Sequence, residues 1–314
     1  MLMKQQAATY WEEWTLTVGE GWNQFWFQPA SSKSLSFIRI AAGLLSIVYF
    51  LSQSGDLLRW YSADSLMPAE TVRILTSGPE LPNYRFSLFN LATKPSELWI
   101  FYSLGVVGAV CLAAGLFSRI AAGVTLVVLL SFVHRLPMIS GLAEPVLAPL
   151  LFYLCIAPSG EWLGVNAWIK RRNSNEDPAP SQLANLSLRM IQVHLAALVF
   201  MMGMSKLAQE NWWTGDAIWF LLAQTRSRPF NLTFLRESPF VINAWTHAIV
   251  AFEIAFPILI WNRFARPILL IVGALVWLSI ALATGHLMFA LTMITASIAF
   301  WPMGESPRRS AAAL

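Results

Sequence analysis

From Leu186 to Leu222 the chain reads LSLRMIQVHLAALVFMMGMSKLAQENWWTGDAIWFLL, an apolar run that carries Arg189 and His194, ends on Lys206 and runs into the paired Trp212 and Trp213. A helix needs about 20 apolar residues to cross the hydrocarbon core of a bilayer, and this run is long enough. A charged side chain deep in such a helix costs about 2.5–3.5 kcal/mol, so an ionisable group there either has a function or snorkels to the interface.

Hydrophobic residues make up 56% of the chain and charged residues 12%, which excludes an ordinary soluble domain. Long apolar segments punctuated by tryptophan fit helices better than the ten-residue alternation of an outer-membrane barrel. The expected fold is therefore all-α, a polytopic transmembrane helical bundle. The net charge of +4 is carried by loop residues, so it speaks to orientation in the membrane and gives no support for nucleic-acid binding. Cys111 and Cys155 lie inside apolar runs and read as buried free thiols. No basic start followed by an apolar core and a small-residue cleavage site is present, so no removable signal peptide is expected.

In chain order, Trp11, Trp14, Val18, Trp22, Phe25 and Trp26 recur at helical spacing, with Glu12, Glu13 and Glu20 elsewhere, which predicts an interfacial amphipathic helix over residues 1–30. A membrane domain over 31–304 and a cytoplasmic tail over 305–314 follow. Eight segments read as spans: Leu35 to Ser52, Leu98 to Phe117, Ile120 to Val133, Val146 to Ala157, Leu186 to Lys206, Ala244 to Trp261, Pro267 to Thr284 and His286 to Trp301. The two shortest, between Ile120 and Ala157, alternatively form a tilted pair around a buried turn at Pro137 and Gly141. Arg39 sits one turn inside the first span, close enough to the surface to snorkel. The polar stretch from Gly55 to Pro95 reads as a partly structured extramembrane cap. Arg119, the cluster Lys170, Arg171 and Arg172, the pair Arg263 and Arg266, and Arg308 with Arg309 all fall on one side, expected to be cytoplasmic.

This topology puts His134, Lys206, His247 and His286 at the non-cytoplasmic ends of their spans. Trp212, Trp213 and Asp216 follow Lys206 at that level, and Arg135 and Glu144 flank the turn after His134, so acid, base and aromatic groups are candidates to converge on one shallow pocket. Lys206 is the leading candidate, because burial lowers a lysine pKa and leaves a neutral amine able to act as a base. Glu253, about 15 Å into its span at 1.5 Å per residue, needs a partner or a proton. Arg189 and His194 lie toward the cytoplasmic half and read as structural. No close ligand spacing points to a metal, and nucleotide-loop, zincin, thioredoxin and hydrolase signatures are lacking.

The stretch MGMSKLAQENWWTGDAIWFLL resembles the signature of the HTTM, or horizontally transferred transmembrane, domain family, which is related to vitamin K-dependent gamma-carboxylase. Arg39, WYSADSLMP, HRLPMISGLAEPVL, PSGEWLGVNAW, HAIVAFEIAFPILI and GHLMFALTMITASIAFWP also look like family segments in family order. The resemblance implies that Lys206 matches the carboxylase lysine that deprotonates vitamin K hydroquinone. The carboxylase has two lysines in tandem there, whereas this chain has Ser205 and then Lys206.

Two functions follow as expectations. In one, Lys206 is the base acting on a reduced quinone, with His134, His247 and His286 orienting or relaying protons, and Trp212, Trp213, Asp216, Arg135 and Glu144 binding substrate. In the other, a non-catalytic membrane module binds a lipid or a partner and assists maturation or export of a small secreted peptide. Either way the expected location is a bacterial inner membrane, with both termini cytoplasmic and the bilayer as a partner.

Overall fold

The computed structural model describes residues 2–76, 85–174, 177–224 and 229–301, with side chains from residue 14 onward except those of 173 and 174. Arg308, Arg309 and the expected tail lie outside these residues. Helix α1 (Leu2–Phe27) leads into α2 (Lys33–Gln53); α3 (Leu57–Tyr61), α4 (Ala69–Thr76) and a 3-10 turn at Leu88–Leu91 form a cap. Three apolar helices follow, α5 (Pro95–Ala114), α6 (Ser118–Arg135) and α7 (Glu144–Ile156), and then a basic helix, α8 (Val165–Ser174). The second half contains α9 (Gln182–Leu207), the short α10 (Glu210–Trp213) and α11 (Ala217–Ala223), then α12 (Pro239–Leu259), α13 (Ala265–Thr284) and α14 (Leu287–Ser297). No strand occurs among the described residues beyond one isolated bridge between Ala30 and Ser181.

All eight predicted apolar segments are helical. Six (α2, α5, α6, α9, α12 and α13) are long and apolar enough to cross a membrane, while α7 and α14 are shorter. At 1.5 Å per residue the 13 residues of α7 rise about 20 Å, less than the hydrocarbon thickness. The turn between α6 and α7 is exposed at Met138, Ile139 and Gly141, so it is not the buried turn that the alternative reading required.

The exterior identifies the solvent. Along α13, Ile268, Ile271 and Leu275 are exposed, and along α5 so are Ile100, Leu104 and Val107, whereas Ser36, Ser46, Thr125 and Thr292 are buried. An apolar outside around an interior that includes hydroxyls is an arrangement for lipid rather than water. Three of the buried hydroxyls are satisfied within their own helices: Ser46 donates to Ala42 O, Thr125 to Ala121 O and Thr292 to Met288 O. Trp14, Leu16, Val18 and Trp22 of α1 are exposed.

α2, α5, α6 and α7 pack as successive neighbours, α9 packs on α12 and α13 on α14, and α14 also touches α2, α7 and α9. Two ends result. At one, Ala30 and Ser181 exchange backbone hydrogen bonds of 3.1 and 3.0 Å, and Ser34 donates to Trp301 O. At the other, the cap closes on the bundle through Tyr61, Phe89 and Phe132, with ring centroids 4.6 to 5.8 Å apart.

At the first end, Arg39 is fully buried instead of snorkelling. Its Nε donates to Ser159 O at 3.2 Å and its Nη1 to Ala113 O at 2.9 Å; Nη1 also donates to Leu112 O and Nη2 to Leu163 O. One guanidinium thus ties α2 to the end of α5 and to the loop between α7 and α8. Such close seating depends on Gly43, where a Cβ would stand 2.7 Å from Ala113 N. Gly43→Leu is expected to destabilise the protein by about 1–3 kcal/mol through overpacking, measured by denaturant titration in detergent micelles.

Candidate functional site

Lys206 lies in the last turn of α9, and its side chain runs to Glu253 on α12. Nζ donates to Oε1 at 2.8 Å and lies 2.7 Å from Oε2. The carboxylate is completely buried while the lysine side chain keeps 13% of its surface open, so the pair is sealed on one side only. Gly203, one turn earlier on α9, makes the approach possible, since a Cβ there would come within 3.1 Å of Glu253 Cβ. Glu253 therefore has the partner that its depth demanded.

The far-end hairpin covers the pair. The lysine Nζ sits 5.1 Å from the centroid of Trp212, within cation–π range. Asn243 on α12 donates to Thr214 O at 2.9 Å and Thr246 to Gly215 O at 2.8 Å, fixing the α10–α11 turn against α12. Trp213 caps the end of α9, donating from Nε1 to Leu207 O at 2.7 Å, and is otherwise exposed. Asp216 is exposed at the start of α11.

Of the residues expected to converge, the structure brings Lys206 and Trp212 together and adds Glu253. The three histidines make separate contacts with nearby carbonyls: His134 Nδ1 with Phe86 O at 2.8 Å, His247 Nδ1 with Asn243 O at 2.9 Å, and His286 Nδ1 with Thr284 O at 3.0 Å. His247 is exposed on α12, on a different face from buried Glu253. Arg135 and Glu144 belong to another cluster, under the cap. Arg135 Nη2 donates to Ser62 O and Ser65 Oγ, Glu144 Oε1 accepts from Gly141 N, and both residues act on Tyr61. Burial and the Glu144 carboxylate push the Tyr61 phenol above its ordinary range, and Arg135 draws it back.

Arg189 donates to Phe25 O and Gln192 Oε1 and faces the Phe25 ring, joining α9 to α1. His194 Nδ1 pairs with the Tyr153 hydroxyl at 3.0 Å, next to a void of about 10 Å³, space for one water. A larger cavity of about 670 Å³ lies at the first end, between α6 and α8. Neither of these cavities is lined by Lys206. Among the described residues no group of three or more His, Cys, Asp or Glu is placed to hold a metal ion.

The Lys206–Glu253 pairing was only half visible in the sequence. Both residues stand out as charges in apolar runs, and Gly203 on the lysine's side of α9 marks a close helix contact, but nothing in the sequence says which helix comes there.

Six helices of spanning length, an apolar exterior and a one-sided buried ion pair define a polytopic helical membrane protein with a charged centre toward one end of its bundle. The family model of the HTTM domain matches residues 27–304, nearly the whole chain, and the protein belongs to that family. No curated protein and no solved structure matches the chain.

Removing one member of a buried pair strands the other charge. Lys206→Met should destabilise the protein by about 3–5 kcal/mol, and adding Glu253→Leu should recover most of that loss. Thermal unfolding of the single and double variants in one detergent checks this.

Proposed function

We propose that this protein is a membrane-embedded base centre in which Lys206 removes a proton from a weakly acidic, lipid-soluble molecule and Glu253 manages the lysine's own proton. The carrying observation is the asymmetry of the pair, with the carboxylate sealed and the ammonium open along one edge. In a low-dielectric interior two ions and two neutral partners lie closer in energy than in water. Passing the proton from Nζ to Glu253 leaves a neutral amine beside a neutral acid, and the amine then accepts the substrate's proton. The three histidines have no part in this proposal.

The resemblance of the SKL…WW stretch to the carboxylase motif supports the same role for the lysine, and it nominates a reduced quinone such as vitamin K hydroquinone as the acid. Lys206, open along one edge beside the Trp212 ring, is the residue that would meet such a molecule, and it lines neither of the two cavities described above. We also propose that the end carrying Arg119, Lys170, Arg171, Arg172, Arg263 and Arg266 faces the cytoplasm of a bacterial cell.

A second reading is favoured by the contact of Nζ with both carboxylate oxygens, which suits a tether between α9 and α12. The protein is then a non-catalytic module serving a lipid or a secreted peptide. Oxygen uptake with vitamin K hydroquinone in nanodiscs separates the two. The base reading expects uptake that falls by about 10²- to 10⁴-fold in Lys206→Arg, since guanidinium cannot deprotonate. Uptake that persists in that variant would overturn it, and absence of uptake from the unmodified protein would favour the module.

A further inference from the structure

The cavity of about 670 Å³ opens between the first turn of α6, the loop 157–161 and α8. Two serines on its wall are buried, Ser159 fully and Ser118 with 7% of its surface exposed, and neither hydroxyl has a hydrogen-bond partner among the described residues. Leaving a buried hydroxyl unbonded is unfavourable; Ser159 is closed off, whereas Ser118 keeps part of its surface open at the cavity and is the one that a polar ligand would complete. Arg171 adds a cation to the same wall. Its guanidinium stacks on Trp162 with 5.0 Å to the centroid, and its Nε and Nη2 are buried without a hydrogen bond among the described residues.

The sign of the ligand follows from what surrounds these donors. Arg119, Lys170 and Arg171 line the cavity against two carboxylates, Glu161 and Asp177, both exposed. Asp177 holds Arg171 only at 4.0 Å, a contact that a better acceptor can replace. α6 also begins here: Ala121 is the first residue whose amide bonds back, to Phe117 O, so the amides of 118–120 precede the helical ladder at its positive end. Phe117 and Ile120, 70% and 69% exposed, stand on the rim at the start of a helix of spanning length. The cavity therefore sits where an apolar helix surface meets its polar end. Arg39 holds the loop that carries Ser159 through its bonds to Ser159 O and Leu163 O.

We propose that this cavity binds a phosphate group, presented either by the headgroup of an anionic membrane lipid or as a free anion, with Arg119 and Arg171 supplying charge and Ser118 supplying a hydroxyl donor. The site is separate from the Lys206–Glu253 pair and does not depend on its role. Native mass spectrometry of the whole protein compares retention of phosphatidylglycerol with that of diacylglycerol, which lacks the phosphate, and titration calorimetry tests inorganic phosphate. Phosphatidylglycerol should be retained about tenfold better than diacylglycerol, and Arg171→Gln or Ser118→Ala should remove that preference, as expected for loss of a charge-assisted hydrogen bond. Arg171→Lys keeps the charge and should keep part of it, with unchanged thermal unfolding showing that the variants are folded. Binding of inorganic phosphate without a lipid preference supports the site and assigns it to the free anion. Binding of neither probe, or a preference equal in all folded variants, would overturn it.

Discussion

A charge placed in hydrocarbon has to be met inside the protein, and this fold is arranged around meeting two of them. Arg39 satisfies the constraint with backbone carbonyls contributed by the end of α5 and the α7–α8 loop, and so fixes how three parts of the first half meet. Lys206 satisfies it with Glu253, and so fixes how α9 lies on α12. Each solution requires helices to approach closely, and each is accompanied by a glycine at the crossing, Gly43 beside Ala113 and Gly203 beside Glu253.

The two solutions differ in chemical consequence. Carbonyls hold the guanidinium of Arg39 without offering it a proton acceptor, so that end of the bundle is a structural joint. The Lys206 joint instead sets a carboxylate within hydrogen-bond reach of the ammonium, and the proposed proton exchange rests on that difference. Trp212 and the hairpin pinned to α12 by Asn243 and Thr246 then set how much of the lysine meets the outside.

The ends also differ in charge. The basic residues of α8 and the start of α6 gather beside the Arg39 joint, around the cavity with the unbonded serines. The proposed orientation in a membrane and the proposed recognition of a phosphate draw on the same cations, because both depend on attraction to anionic groups at one surface. The aromatic cap and the α10–α11 hairpin cover the opposite end.

By itself the sequence determined the helical class, the eight apolar segments, a helix ahead of them and the identity of the charges that needed an explanation. Those follow from period, length and composition, which are local properties. It also showed Lys206 and Glu253 to be misfits in apolar surroundings. Only the tertiary structure decided that they answer one another, that Arg39 is buried among carbonyls, and that Arg135 and Glu144 belong under the cap. The histidines looked related because their spans end at the same level, yet level along the bundle axis says nothing about position around it. Ser118 and Ser159, ordinary residues in the sequence, became informative only once their hydroxyls lay buried and unbonded beside one cavity. Pairing across helices depends on which faces pack, a long-range outcome that no local pattern encodes.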